Sequence, residues 1–430
     1  MPSLSLDQAP DLLALAAAYP ADFPYLLESA GDTGWDILFA LPESLRVYGA
    51  QEGAALFADL AAIPVAPQPS ASDLPFTGGW FTYLGYEWLE TLEPSVPPRA
   101  DQGFPLGLLA RVPAAILVRR DSGRTELVAE TAAQLDSLKA RLSAVPSFQP
   151  APIQVADLSE DAPEAFLAGT LRCKDYIRDG DVFQVNLSRG WDARLLGGAG
   201  PRDLFAQLRR ANPAPFSAYV DLGQAQAIVS SSPERLVRID RQGRVETRPI
   251  AGTHPRSSDQ QEDEAQKARL IASKKERAEH IMLIDLERND LGRIAVPGSV
   301  KVDALMEVTS YTYVHHLEST VSCQIRPGLN VAEVLRALFP GGTITGCPKV
   351  RCMQIIRELE ARPRRAYTGS LGYINRDGSL DLNILIRTFM QDGDALYFRA
   401  GAGIVADSDP ERELNETRAK ARGLLRALGA

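Results

Sequence analysis

Two pairs of glutamates, Glu276 with Glu279 and Glu413 with Glu416, each stand three residues apart in helix-compatible sequence, so each pair shares one face of its helix. Mg²⁺ takes hard oxygen ligands, keeps several waters and accepts one or two carboxylates plus substrate anions, so two such faces suit it. The plainer account is that acids in a first helical turn favour the dipole, and that Glu276 pairs with Lys274 or Arg277. Glu234 follows Ser232 and Pro233 at the end of an apolar strand, where a desolvated carboxyl can act as general acid or base; otherwise it is a turn residue. Arg387, directly after the apolar Ile384–Ile386, is costly to bury alone and calls for a structural Glu or a ligand carboxylate. Gly401, Ala402, Gly403 and Ile404 form a short glycine turn whose backbone N–H groups can approach an anion. Lys420 lies one turn after Glu416. Of His315 and His316, strand alternation points only one at any site, and a core histidine is the default reading.

The elements that must carry these residues alternate irregularly. Apolar helical stretches are expected near Asp11–Ala18 and Leu45–Ile63, with a Pro/Ser-rich loop over Pro64–Pro75. Ala114–Arg120 and Thr125–Ala129, joined by Asp121, Ser122 and Gly123, read as a hairpin. Residues 1–142 form an N-terminal subdomain, the proline-bearing 143–163 a linker, and 164–430 the main domain. A helix is expected from Asp161, with Glu164 completing a capping box, to Gly180. Strands are expected at Val182–Leu187, Ala227–Ser230 and Arg235–Ile239, and one long helix at Glu264–Leu286. Without a regular βαβ alternation or a fixed repeat, the pattern predicts an α+β fold: a large, mainly antiparallel two-sheet sandwich with helices packed outside.

Length alone allows about three domain-sized units or one large core. The formal charge of −9, with no basic cluster interleaved with aromatics, speaks against a nucleic-acid partner. The first 45 residues hold no Lys or Arg, and the apolar run Leu12–Ala18 is too short to span a bilayer, so neither export nor a membrane association is expected. The four cysteines form no CxxC pair and fit reduced thiols in a cytoplasm; Cys347, beside a predicted ligand loop, is the one of interest.

Taken in order, Asp181-Val-Phe-Gln-Val-Asn-Leu-Ser188, Ser232-Pro-Glu234, Pro249-Ile-Ala-Gly-Thr253, Glu276-Arg-Ala-Glu279, Phe339 to Lys349, Gly401-Ala-Gly-Ile404 and Glu413-Leu-Asn-Glu416 resemble the chorismate-binding family, most clearly from Phe166 to the C-terminus. The resemblance implies an anthranilate synthase component I-like fold. It implies Mg²⁺ held by Glu279 and Glu416, with Glu276 and Glu413 behind, binding the ring carboxylate of chorismate with help from Lys420 and the Gly401, Ala402 and Gly403 backbone. Tyr367 and Arg387 would hold the enolpyruvyl carboxylate. Gly252, Thr253 and Thr343 would shape the pocket, His316 would join the catalytic group, and Glu234 would protonate the departing C4 hydroxyl, since hydroxide leaves poorly without a proton.

Two positions bear on the branch of the family. Where its water-adding members carry a general-base Lys, this chain has Gln184, and an amide cannot deprotonate water; ammonia brings its own lone pair. Where the best known aminodeoxychorismate-forming members carry a nucleophilic Lys, this chain has Ala251. Asn212 to Tyr219, Val314-His-His-Leu317 and Gly341-Gly-Thr343 nevertheless look more like the aminodeoxychorismate branch than the anthranilate branch. The expected product is therefore 4-amino-4-deoxychorismate, formed without a lysine adduct, with anthranilate as the alternative and a noncatalytic chorismate or tryptophan sensor behind both. Leu26-Leu-Glu-Ser29 resembles the family's tryptophan motif, making Leu27, Glu28 and Ser29 a candidate tryptophan site. No Cys sits in a nucleophile elbow with a downstream His and Glu, so ammonia is expected from a separate glutamine amidotransferase subunit.

Overall fold

The computed structural model describes residues 2–430 apart from 30, 32, 66–72, 100–102, 144, 146, 258 and 311–313; for 253–255, 274, 275 and 314 the description extends to the backbone only. Two large antiparallel sheets face each other. The first runs from Ser3–Leu6 through Thr125–Ala129, Ala114–Arg119, Trp35–Ala40 and Tyr25–Glu28. It continues through Phe216–Gly223, Gln226–Ser232, Thr388–Asp392, Ala395–Ile404 and Gln184–Leu195 to Gly346–Cys347. The second runs from Ile250–Pro255 through Val314–Gln324, Arg244–Thr247, Arg235–Ile239, Leu380–Asn383, Ser370–Asn375, Gly79–Leu84 and Gly107–Val112 to Ser44–Tyr48.

Residues 1–142 and 164–430 share both sheets. Glu28 pairs with Ser217 in one, and Tyr83 with Leu371 in the other. The segment read as a linker, 143–163, carries the strand Val155–Glu160, which pairs with Gln184–Leu195.

The strands read as near-continuous apolar runs because each central strand is covered twice. Alternate residues go opposite ways: Tyr25, Ile37, Phe39 and Ile228 enter the layer between the sheets, where Tyr25 stacks on Phe81 at 4.3 Å. Leu26, Leu38 and Val229 face outward under the helices Leu12–Ala18, Pro201–Ala211 and Pro410–Ala427. Gly53–Ala61, Lys274–Gly292 and Val331–Leu338 cover the outer face of the second sheet. The fold is thus the α+β sandwich with external helices that the pattern predicts.

Local expectations fare unevenly. The hairpin at 114–129 and the strand Arg235–Ile239 form, and Asp11 caps the first helix through the N–H groups of Leu13 and Ala14. Leu45 and Val47 instead belong to the edge strand Ser44–Tyr48, and the helix starts only at Gly53. The helix expected from Asp161 begins at Pro163 without a side-chain cap, because the Asp161 carboxylate accepts from the N–H of Gly190 and the guanidinium of Arg362. The strand expected at Val182–Leu187 runs over Gln184–Leu195. The expected long helix is two, Gln260–Ala272 and Lys274–Gly292, parted at Ser273. Ser273 adopts an extended backbone and accepts the Glu276 N–H with its hydroxyl, the behaviour of an N-cap rather than a helix interior. Most of the Pro/Ser-rich stretch lies outside the described residues.

One buried ionic group ties the functional end of the sandwich together. Glu360 accepts from the backbone and hydroxyl of Ser188 at 2.9 and 2.8 Å, from Arg364 at 2.7 and 3.0 Å, and from Arg399 at 2.9 Å. Burial would raise its pKa, but Arg364 and then Arg399 overcome that and hold it below the usual carboxylate range. Arg364 also donates to the carbonyls of Ile344 and Asn186 at 3.0 and 2.7 Å. Removing the anion strands two buried guanidinium groups, so Glu360→Ala is expected to destabilise the fold by about 3–5 kcal/mol, read from the urea midpoint.

Candidate active site

The site is built where Gln184–Leu195 and Ala395–Ile404 pair, with Asn186 opposite Gly403 and Ser188 opposite Gly401. Helix Lys274–Gly292 brings Glu279 to the strand ends, and Gln184 Nε2 donates to Glu279 Oε1 at 3.0 Å. The two glycines leave the space that these groups use. A Cβ on Gly403 would fall 2.3 Å from Gln184 Nε2 and 3.3 Å from Glu279 Oε1. One on Gly401 would fall 2.7 Å from Asn186 Oδ1 and 2.8 Å from the Tyr367 hydroxyl. Ala402 points away into the apolar layer beneath the helix Pro163–Arg178.

Glu234 lies between the strands Gln226–Ser232 and Arg235–Ile239 and is almost fully buried. Burial pushes its carboxyl up to about 7, while the Thr343 hydroxyl and the charges of Lys420 and Arg387 oppose the shift and Glu318 adds to it. Near neutrality Glu234 is therefore divided between its protonated and ionised forms. Arg387 sits in the left-handed backbone region at φ 53, uncommon for a residue with a Cβ, and its carbonyl is fixed by the Ser231 N–H at 3.0 Å. Among the described residues its guanidinium forms no ion pair. Burial lowers its pKa, with Tyr367, Glu234 and Glu416 acting in the opposite direction. A desolvated cation without a counter-charge, next to the buried Tyr367, is a place for an anion.

Of the paired histidines, His316 faces this region. It lies opposite Thr253, is buried, and is lowered to about 4 by desolvation, while contact with the Gly252 backbone opposes that and Arg387 reinforces it. It is a neutral imidazole at pH 7. His315 faces the other way, its ring nitrogens meeting Asp263 at 3.0 Å and Ser310 at 2.8 Å.

Ile250 to Thr253 form the start of the strand Ile250–Pro255. Ala251 is buried and pairs with Leu317. Gly252 has φ +75, and a Cβ there would come within 2.8 Å of Glu276 Oε2 and 2.6 Å of Leu270, so only glycine fits. The Thr253 side chain lies outside the described residues.

The acidic faces divide by environment. Glu279 and Glu416 are partly exposed; Glu416 pairs with Lys420 at 2.7 Å. Glu413 is buried and accepts from the Ser408 hydroxyl at 2.7 Å, and Glu276 lies against Gly252. Among the described residues no three His, Cys, Asp or Glu side chains gather as a ready-made metal group.

Leu27, Glu28 and Ser29 lie elsewhere. They line a cavity of about 670 Å³ between the sheets, with Trp35, Phe216 and Tyr373, and with Pro233 and Ile250, whose chain neighbours Glu234 and Ala251 belong to the first site. Glu28 pairs with Arg209 at 2.9 Å, and the Ser29 N–H is held by Asp36 at 2.8 Å.

Residues that sequence reasoning passed over also shape the site. Asn186 was quoted within a motif without a role, although its place two residues after Gln184 on one strand was the available signal. Glu287 is buried one turn beyond Leu283 and raised to about 8 by desolvation and Asp290; Lys349, bonded to Asp290 at 2.7 Å, opposes this. Its partners are distant in sequence, so nothing local marked it.

The profile described as chorismate binding enzyme matches residues 22–426, taking in the N-terminal strands as well as the motifs from Phe166 onward. The chain is 47% identical over 257 residues to anthranilate synthase component 1 of Aquifex aeolicus, a match covering 60% of this chain and about half (51%) of that relative. It is 40% identical over 363 residues to aminodeoxychorismate synthase component 1 of Escherichia coli, covering 83% and 78% of the two chains. The crystal structure of anthranilate synthase component I from Streptococcus pneumoniae superposes with a TM-score of 0.77 at 32% identity, covering 90% of this chain and 91% of that one. With its sandwich, its buried acid and its unpaired cation in the family's order, the chain belongs to the chorismate binding enzyme family and is an enzyme acting on chorismate.

Proposed function

We propose that this chain is the chorismate-binding component of an aminodeoxychorismate synthase, supplying an intermediate for 4-aminobenzoate and folate. The observation that carries the amine-transfer reading is Gln184, buried in the site with its amide on Glu279. No basic amine stands there to deprotonate water. The stretches Asn212 to Tyr219, Val314 to Leu317 and Gly341 to Thr343 support the aminodeoxychorismate branch. Ala251, a methyl group where a nucleophile would form an adduct, favours anthranilate as the second reading. Acid and anion-binding groups held together speak against a noncatalytic sensor.

In this reading Arg387 and Tyr367 hold the enolpyruvyl carboxylate of chorismate, and Lys420 and the Gly401 to Gly403 backbone assist at the ring carboxylate. Glu279 and Glu416 would hold Mg²⁺, with Glu276 and Glu413 behind; two partly exposed carboxylates leave positions for water and substrate, as the ion requires. The bound ion would neutralise the ring carboxylate. Overall, chorismate and ammonia give aminodeoxychorismate and water. In the first step the lone pair of ammonia or water forms a bond at C2, both ring double bonds shift, from C1=C2 and C5=C6 to C1=C6 and C4=C5, and the C4–O bond breaks as Glu234 gives its proton to the leaving hydroxyl. A second attack, by ammonia at C4, expels the C2 group, and the new ammonium centre loses a proton. A glutamine amidotransferase subunit supplies the ammonia.

Purified protein with chorismate, Mg²⁺ and an ammonium salt is expected to yield aminodeoxychorismate by chromatography and mass spectrometry. Anthranilate as sole product would sink this assignment in favour of the second reading. Glu234 must be protonated to act, so with free ammonia held constant kcat/KM should fall as pH rises through about 7. Glu234→Gln should lower kcat by about 10²–10⁴-fold and abolish that limb of the profile. Glutamine should replace ammonium only when an amidotransferase subunit is added, and failure of such reconstitution would count against the partner.

A further inference from the structure

Among the described residues, four buried side-chain oxygens in the site make no hydrogen bond: Glu234 Oε1, Thr343 Oγ1 and two amide acceptors, Gln184 Oε1 and Asn186 Oδ1. The two amides lie two residues apart on the strand Gln184–Leu195, so both side chains leave the same face. Gln184 is 3% exposed and Asn186 9%. The nitrogen of each amide sets its orientation. Gln184 Nε2 donates to Glu279 Oε1 at 3.0 Å, and Asn186 Nδ2 reaches the Thr343 carbonyl at 3.4 Å. Turning either amide over would set oxygen against oxygen, so both keep their carbonyl oxygens turned away from those partners, that of Asn186 toward Gly401.

A buried acceptor left unsatisfied costs about 1–3 kcal/mol, and two on one wall mark a place for a ligand that brings donors. The carboxylates of chorismate are acceptors and are repelled there. Ammonia is small, carries three N–H donors, and keeps its lone pair free when two of those donors are engaged. Gly401 and Gly403 serve the same end, since a Cβ at either would collide with one of the amides.

We infer that Gln184 and Asn186 form an acceptor clamp that seats and orients ammonia, with Asn186 as a positioning residue for the nucleophile. The inference rests on the amine-transfer reading and adds the residue that holds the amine. Neither amide takes a proton from it; they fix which way the lone pair points.

Initial rates of chorismate consumption with Mg²⁺ present, against ammonium at saturating chorismate and against chorismate at saturating ammonium, test it. Asn186→Leu should raise the KM for ammonium by about tenfold or more, the equivalent of one lost hydrogen bond, and leave the KM for chorismate within about twofold. Asn186→Ala, which adds no volume, should give the same split if the leucine disturbs packing. Asn186→Asp retains an oxygen acceptor and should keep the ammonium KM within about threefold. An unchanged ammonium KM in both the Leu and Ala variants, or an equal rise for both substrates, overturns the clamp and leaves the amine-transfer reading standing. Absence of ammonium-dependent turnover by the unaltered chain overturns both.

Discussion

A buried carboxylate governs how this site is held. Glu360, at the end of the helix Lys349–Leu359, fastens Ser188 of one strand, Arg399 of its neighbour and Arg364, and Arg364 in turn binds the carbonyls of Ile344 and Asn186. Every element that presents a side chain to the pocket from this end is one bond from that group. Gln184 and Asn186 ride on the first strand, Gly401 and Gly403 on the second, and Thr343 on the turn. Such an ionic cluster is dear to desolvate and is kept where geometry matters more than stability. Here it makes the spacing between three chain segments nearly invariant.

The protonation pattern follows from the same burial. The chain carries a formal charge of −9, yet its substrate is an anion, so the pocket must offset the overall field locally. It does so by letting low dielectric neutralise its own acids and imidazole. Glu234 and Glu287 are pushed to about 7 and 8, and His316 is depressed to about 4, while Arg387 stays ionised. The result is a cation, a proton donor and uncharged dipoles facing one space. Glu279 and Glu416 are more exposed than these groups.

The sandwich also separates two compartments that share a wall. Pro233 and Ile250 line the cavity bearing Leu27 to Ser29, while their neighbours Glu234 and Ala251 belong to the candidate site. For Ile250 and Ala251, neighbours in the strand Ile250–Pro255, this is strand alternation: successive residues leave on opposite faces.

Much of this was legible along the chain. Glu234 after Ser232-Pro233 and Arg387 after an apolar run announced themselves because each sets a charge beside apolar sequence, whereas the glycines at 401 and 403, expected in a short turn, stand within the strand Ala395–Ile404. The α+β class followed from irregular alternation of strand and helix patterns. Local pattern failed where a distant partner overruled it, as when Gly190 and Arg362 claimed Asp161 from its helix, or when an edge strand took Leu45 and Val47. The sequence by itself determined which groups were available and the family to which they belong. Only the tertiary structure decided their states and aims: that burial moves Glu234 up to about 7, that His316 rather than His315 faces the site, and that Asn186 aims its amide oxygen at Gly401. Those outcomes depend on desolvation and on distant partners, such as Thr343, 157 residues from Asn186, and neither is written in the local order of residues.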